Sequence, residues 1–147
     1  MKTKVLILGG SSFAGSNFIN FLIQKKKYNI LGTYNSKKNL KKLIFKNSLD
    51  KFKLIKLDLS IENNKLLKII KSFKPEYIFD FASVCLVNES WDAPNYYFRV
   101  NLNSKINFIQ NIHNLPFIKK FIYVGTPEIF GSTLKPVREN SLLFNPS

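Results

Sequence analysis

The chain has 147 residues, 45% of them apolar, with 14 Phe, 16 Ile and 18 Leu, which suffices for one buried core and excludes a disordered tail. A single cysteine, Cys85, excludes an internal disulfide and a cysteine-based zinc site, and a single histidine, His113, leaves no histidine-rich metal site. The net charge of +14 raises nucleic acid as a partner, yet only Arg99 and Arg138 among the 23 basic residues are arginines, the bidentate readers of phosphates and bases.

Val5-Leu6-Ile7-Leu8 is an unbroken apolar run ending at Gly9-Gly10, as in a strand buried on both faces of a parallel sheet. From Phe13 the period changes, and Phe18, Ile19, Leu22 and Ile23 fall at helical spacing before Lys25-Lys26-Lys27. Residues 29–34 read as a second strand, and 37–46 as a short helix with Leu40, Leu43 and Ile44 on one side. Residues 52–57 read as a third strand, ending at Asp58. Ser60 is placed to cap the next helix, whose apolar face is Leu66, Ile69, Ile70 and Phe73 and whose stop is Lys74-Pro75. Residues 77–82 form a fourth strand. Pro94 opens a long helix running to about Ile112, and residues 121–124 form a fifth strand closed by Gly125. The tail from Ser132 is irregular.

Five strands alternating with four helices predict an α/β fold. Right-handed crossovers then give a Rossmann-type, doubly wound parallel sheet in the order 3-2-1-4-5. Fifteen of the basic residues lie between Lys25 and Lys74, on the polar faces of periodic segments. The excess of Lys travels with 17 Asn and many Ile and Phe, which fits compositional drift in an AT-rich genome. No specific nucleic-acid partner is expected. No apolar run approaches the roughly 18 residues of a membrane span and the N-terminus has no signal-peptide core, so a cytoplasmic protein with no membrane partner is expected.

Gly9-Gly10-Ser11-Ser12-Phe13-Ala14-Gly15 follows the first strand directly and opens the first helix. In that context a glycine turn carries meaning. Gly9 permits the tight turn, the helix N-terminus offers free N–H groups to a pyrophosphate, and Gly15 lets the helix pack closely. An ordinary strand-to-helix loop is the bland alternative. At the end of the second strand an acid would select NAD by accepting from the ribose. Tyr34, Asn35 and Ser36 stand there, followed by Lys37 and Lys38, so the cofactor is NAD or NADP. No metal is called for.

This turn resembles the NAD-dependent epimerase/dehydratase family of nucleotide-sugar enzymes, within the extended short-chain dehydrogenase/reductase superfamily. The family's turn is Gly-x-x-Gly-x-x-Gly, and Ser12 stands at its middle glycine. The resemblance continues to the last residue. Leu57-Asp58-Leu59 is similar to the family's Asp-Leu pair, where the carboxylate accepts from the adenine amino group. Phe79-Asp80-Phe81-Ala82-Ser83 is similar to its His-Leu-Ala-Ala segment, with Asp80 in place of the His. Ser90 to Asn101 is similar to its Ser…Pro…Tyr…Val-Asn stretch. Together these imply cofactor contacts from Gly9, Ser11, Ser12, Phe13, Ala14, Gly15, Asn35, Asp58, Leu59, Phe81, Ala82, Ser83 and Asn101. Helix capping by Asp58 and a satisfied core amide at Asn101 are the alternatives.

The segment Phe121-Ile122-Tyr123-Val124-Gly125-Thr126-Pro127-Glu128-Ile129-Phe130-Gly131 resembles the family's strand 5 signature, and specifically that of the sugar 4,6-dehydratases. The resemblance implies catalytic roles for two residues. Thr126 would hydrogen-bond the sugar O4, and Glu128 would remove the C5 proton once C4 is oxidised to a ketone. An exposed loop acid is the alternative for Glu128. The family's Tyr-x-x-x-Lys, which follows within a few residues of a segment like Asn145-Pro146-Ser147, does not occur after Gly131. Residues 1–147 are therefore expected to be an incomplete NAD(P)-binding domain. It would be truncated before the remaining strands and substrate region, and inactive alone. The intact protein would be a homodimer acting on a nucleotide sugar. A non-catalytic Rossmann-like regulatory or nucleic-acid-binding module is the competing class.

Overall fold

The computed structural model describes residues 2–36, 50–132, 134 and 136–141. The helix expected over 37–46 lies outside the described residues, as do Lys37 and Lys38. Five parallel strands form one sheet in the order β3-β2-β1-β4-β5, as expected: β1 Thr3–Leu8, β2 Tyr28–Tyr34, β3 Lys53–Lys56, β4 Tyr77–Asp80 and β5 Lys120–Tyr123. The central register sets Val5 beside Ile30 on one side and Tyr77 on the other.

The apolar run of β1 is buried throughout because each of its faces meets a helix layer. Leu6 and Leu8 point into a cluster with Leu31, Leu57, Ile78, Leu66, Ile70, Phe108 and Ile112. Val5 and Ile7 point the other way, onto Ile19, Leu22 and Ile30. Helix α1 (Phe13–Gln24) supplies that second face, while α2 (Asn63–Phe73) supplies Leu66 and Ile70 to the first. Such two-sided cover is the reason a strand of a parallel sheet carries no polar alternation.

Three local expectations are corrected. Ser60 does not cap α2. Its hydroxyl donates to Asp58 Oδ1 at 2.6 Å, and the helix starts only at Asn63, after a Glu62 whose carboxylate accepts the Asp58 N–H at 2.7 Å. An unforeseen helix, α3 (Val87–Asp92), precedes Pro94. The long helix opened by Pro94 is present but compound. It comprises α4 (Pro94–Phe98), a π-helical stretch over Arg99–Asn103, and α5 (Ser104–Ile112). The stop at Lys74-Pro75 is as read: Lys74 turns into the left-handed region at φ 53° and its N–H bonds Ile70 O.

Candidate cofactor site

In the order 3-2-1-4-5 the chain reverses direction of winding between β1 and β4, and ligands of such sheets bind outside the carboxyl ends of the strands at that point. A cavity of about 270 Å³ lies there, lined by Gly9, Ser11, Ser12, Thr33, Asn35, Asp58, Leu59, Phe81, Ala82 and Ser83 among others. A larger hollow of about 730 Å³ sits at the opposite, amino-terminal end of the sheet, beside Lys4, Asn29 and Lys53. It lacks the glycine turn and helix N-terminus that hold phosphates, so the smaller cavity is the candidate site.

The glycine turn builds its floor. Gly9 adopts φ +70°, and a Cβ there would lie 2.7 Å from the Ala82 nitrogen. Only glycine meets both demands. The Gly9 N–H donates to Thr33 Oγ1 at 3.1 Å, which ties the turn to β2 through a hydroxyl that the sequence alone did not single out. A Cβ on Gly15 would overlap the Gly9 carbonyl oxygen, so Gly15 is required by the turn's own backbone as well as by helix packing. Ser12, at the position of the family's middle glycine, is the N-cap of α1, its hydroxyl accepting from Gly15 N at 3.0 Å. Its side chain is thus folded into the turn. The N–H groups of Phe13 and Ala14 precede the first intrahelical bond, from Ser16 N to Ser12 O, and form the positive end of the helix dipole.

Of the expected contacts, Phe13, Ala14, Gly15 and Asn101 do not line the cavity. Phe13 is 85% exposed at the first position of α1. Asp58 does line it, and its carboxylate also accepts from Ser60 N and Oγ, which closes the turn ahead of α2 and does not cap the helix, whose first residue is Asn63. Leu57, Tyr34, Ser36, Val84, Tyr96 and Val100 complete the wall. Val84 and Tyr96 had no motif to mark them, and Val100 stood in the Val-Asn pair without being singled out. They arrive through the segment after β4 and the compound helix.

That segment is held by the helix. Asn101 grips Val84 twice: its Oδ1 accepts from Val84 N at 3.0 Å and its Nδ2 donates to Val84 O at 2.7 Å. One turn on, Lys105 Nζ donates to Ala82 O at 2.5 Å and to Asp80 Oδ2 at 2.6 Å, while Asp80 Oδ1 accepts from Ala82 N at 2.9 Å. Asp80 is 1% exposed and Lys105 7%. Burial pushes the Asp80 carboxyl up, against the pull of the Lys105 ammonium and the Ala82 N–H.

Thr126 and Glu128 stand beyond the carboxyl end of β5, at the same end of the sheet as the cavity but outside its lining. Both are exposed. The Thr126 hydroxyl caps a single 3₁₀ turn, Pro127–Phe130, by accepting from Glu128 N at 3.4 Å. Gly131 closes that turn at φ 66°. No cluster of three or more potential metal ligands occurs among the described residues, and no helix there is long and apolar enough to cross a membrane.

Comparison with known proteins places this arrangement. A UDP-glucose 4-epimerase of Mycoplasma genitalium is 30% identical over 134 residues, covering 90% of this chain and 38% of the relative. The UDP-Glc/GlcNAc 4-epimerase of Campylobacter jejuni superposes with a TM-score of 0.79 at 26% identity, over 97% of this chain and 43% of that one. A dTDP-glucose 4,6-dehydratase of Bacillus anthracis, solved with NAD, shares the fold at a TM-score of 0.78 and 22% identity, over 99% of this chain and 45% of that one. The chain thus spans about two-fifths of the length of the curated relatives it matches. The family model for GDP-mannose 4,6 dehydratase matches residues 6–147, and the chain belongs to that family, within the nucleotide-sugar epimerases and dehydratases.

Proposed function

We propose that residues 1–147 form the dinucleotide-binding domain of an enzyme that transforms a nucleotide sugar, with NAD or NADP seated in the cavity at the β1–β4 switch point. The observation that carries this reading is the Gly9 turn, whose positive φ and close packing on the Ala82 backbone lead β1 directly into α1 at the edge of that cavity. The residues fit the group. Ser11 and Ser12, ahead of α1, hold the pyrophosphate, Asp58 accepts from the adenine amino group, and Leu59 and Phe81 to Ser83 flank it. Asn35 and Ser36, with no carboxylate beside them, leave room for either ribose, bare or 2′-phosphorylated. When bound, the nicotinamide supplies a reversible hydride acceptor.

Relatives of both kinds, epimerases and dehydratases, match the chain. Glu128 favours the 4,6-dehydratase. A C4 ketone acidifies the proton at C5, and a carboxylate at this end of the sheet is the group to take it, while Thr126 donates to the sugar oxygen at C4. An epimerase, which moves hydride at one carbon, has less use for that acid. The chain spans about two-fifths of the length of its curated relatives, so turnover is assigned to the whole protein and cofactor binding to this part. Calorimetric titration of the 147-residue chain with NAD⁺, NADH, NADP⁺ and NADPH tests the reading. Saturable binding of at least one is expected, and no heat from any of them at millimolar concentration would sink it.

A further inference from the structure

We propose that Asp80 and Lys105 are positioning residues for the cofactor, an ion pair whose task is to hold the Ala82 peptide groups against the Gly9 turn. The proposal rests on the cofactor site described above. Three features single out the pair from an ordinary buried salt bridge.

First, among the described residues every hydrogen bond it makes beyond itself goes to one residue, with Lys105 Nζ also lying over the Tyr123 ring at 5.6 Å from its centroid. Asp80 Oδ1 takes the Ala82 N–H and Lys105 Nζ gives to the Ala82 carbonyl, so both backbone polar groups of Ala82 are fixed by charged partners. Bonds to ionised groups are shorter and stronger than neutral ones. Second, Ala82 is the residue against which the turn is built: a Cβ on Gly9 would meet its nitrogen at 2.7 Å and its Cα at 2.8 Å. A shift of a few tenths of an ångström in Ala82 changes the clearance at the cavity floor. Third, the grip is repeated one turn away. Asn101 holds both polar groups of Val84, and positions 101 and 105 are four apart on the compound helix, hence on one face. Ala82, Ser83 and Val84 all line the cavity, and the first and last of them are clamped at both N–H and C=O.

A buried ion pair is a poor device for stability alone. Desolvating both ions offsets most of their attraction, and apolar or neutral replacements of similar shape are often tolerated. That fact supplies the test. Lys105→Met leaves the Asp80 carboxylate buried and unpaired, so it should lower the unfolding midpoint and weaken cofactor binding together. Asp80→Asn/Lys105→Met removes both charges and keeps an acceptor for Ala82 N, but gives the Ala82 carbonyl no donor. For this double variant the unfolding midpoint should return toward wild type, while the Kd for the better-bound dinucleotide stays about tenfold weaker, the loss of one hydrogen bond to a charged group. Amide hydrogen exchange without cofactor gives an independent arm: Ser83 and Val84 should exchange faster in the double variant while the β1 amides do not change.

If affinity recovers together with stability in the double variant, or the exchange of Ser83 and Val84 is unaltered, the pair is structural only and the proposal fails. If the wild-type chain binds neither dinucleotide, the functional reading above falls instead, and the exchange arm still decides whether the pair holds the segment.

Discussion

The two rims of the sheet that carry the candidate chemistry are built in different ways. Around β1 and β4 the backbone is held from several sides: Thr33 on Gly9, Ser12 on Gly15, Asp80 and Lys105 on Ala82, Asn101 on Val84. Beyond β5 the segment with Thr126 and Glu128 is one exposed 3₁₀ turn, secured by a 3.4 Å side-chain bond, with Tyr123, Val124 and Ile129 exposed around it. The first rim is preorganised by contacts made within the described residues, as a site for a dinucleotide must be. The second places the right residue types at the right end of the sheet but fixes them loosely. Binding and chemistry should therefore be separable by mutation, and each prediction below tries to break that separation.

The largest effect belongs to the loose rim. In the whole protein, Glu128→Gln should retain hydride transfer but slow exchange of the C5 proton with solvent by about 10²–10⁴, the usual cost of losing a general base. Proton exchange followed by NMR in deuterated buffer checks it. An unchanged rate would make Glu128 a loop acid and the epimerase reading the better one. The same substitution in the 147-residue chain should leave dinucleotide affinity within about twofold, because Glu128 does not line the cavity.

Gly15→Val should abolish measurable cofactor binding. Its side chain collides with the Gly9 carbonyl, which neither rotamer choice nor a flexible neighbour can relieve. Gly9→Ala is milder: it meets the Ala82 backbone and a strained φ, which costs on the order of 1–3 kcal/mol and about tenfold or more in affinity. Titration calorimetry ranks the two, and equal affinity for Gly9→Ala and wild type would mean that the cavity floor is not where the pyrophosphate lies.

How much of this was legible in the sequence follows the same division. The strands, their order and the glycine turn were readable because each rests on local pattern: an unalternated apolar run, a glycine pair at a period change, right-handed crossovers. The clamp was not. Asp80 and Lys105 are 25 residues apart, and no periodicity joins them. The available signals were Asp80 in an apolar strand and a Lys within the buried stripe of Val100, Ser104, Phe108 and Ile112, positions where an unpaired charge is not tolerated. Asn101 was placed among the cofactor contacts from the resemblance. The structure gives its amide to Val84 instead, so it shapes the wall without lining it.

The smallest effect concerns acidity, and it again divides the molecule. Glu76 accepts from Lys4 N and Lys119 Nζ, and Glu62 from Asp58 N and Lys65 Nζ. For Glu76 the Lys119 bond, and for Glu62 the bond from Asp58 N, hold the carboxyl below its ordinary value. A lowered acid binds fewer protons when folded than when unfolded, so its contribution is present above the unfolded pKa and is lost as pH falls through the folded one. Asp80 has the opposite sign. Burial raises its carboxyl, the folded chain binds the extra proton, and stability declines as pH rises from the ordinary Asp value through the raised one. Urea midpoints of the 147-residue chain should therefore fall on the acid side below about pH 4. Glu76→Gln should flatten that acid limb, with only a small change near neutrality because the ion pair is exposed. Asp80→Asn/Lys105→Met should leave the acid limb in place and remove the decline above it. An acid limb that survives Glu76→Gln unchanged would assign it to other carboxylates, and a decline that survives the double variant would mean that the Asp80 carboxyl is not raised by its burial.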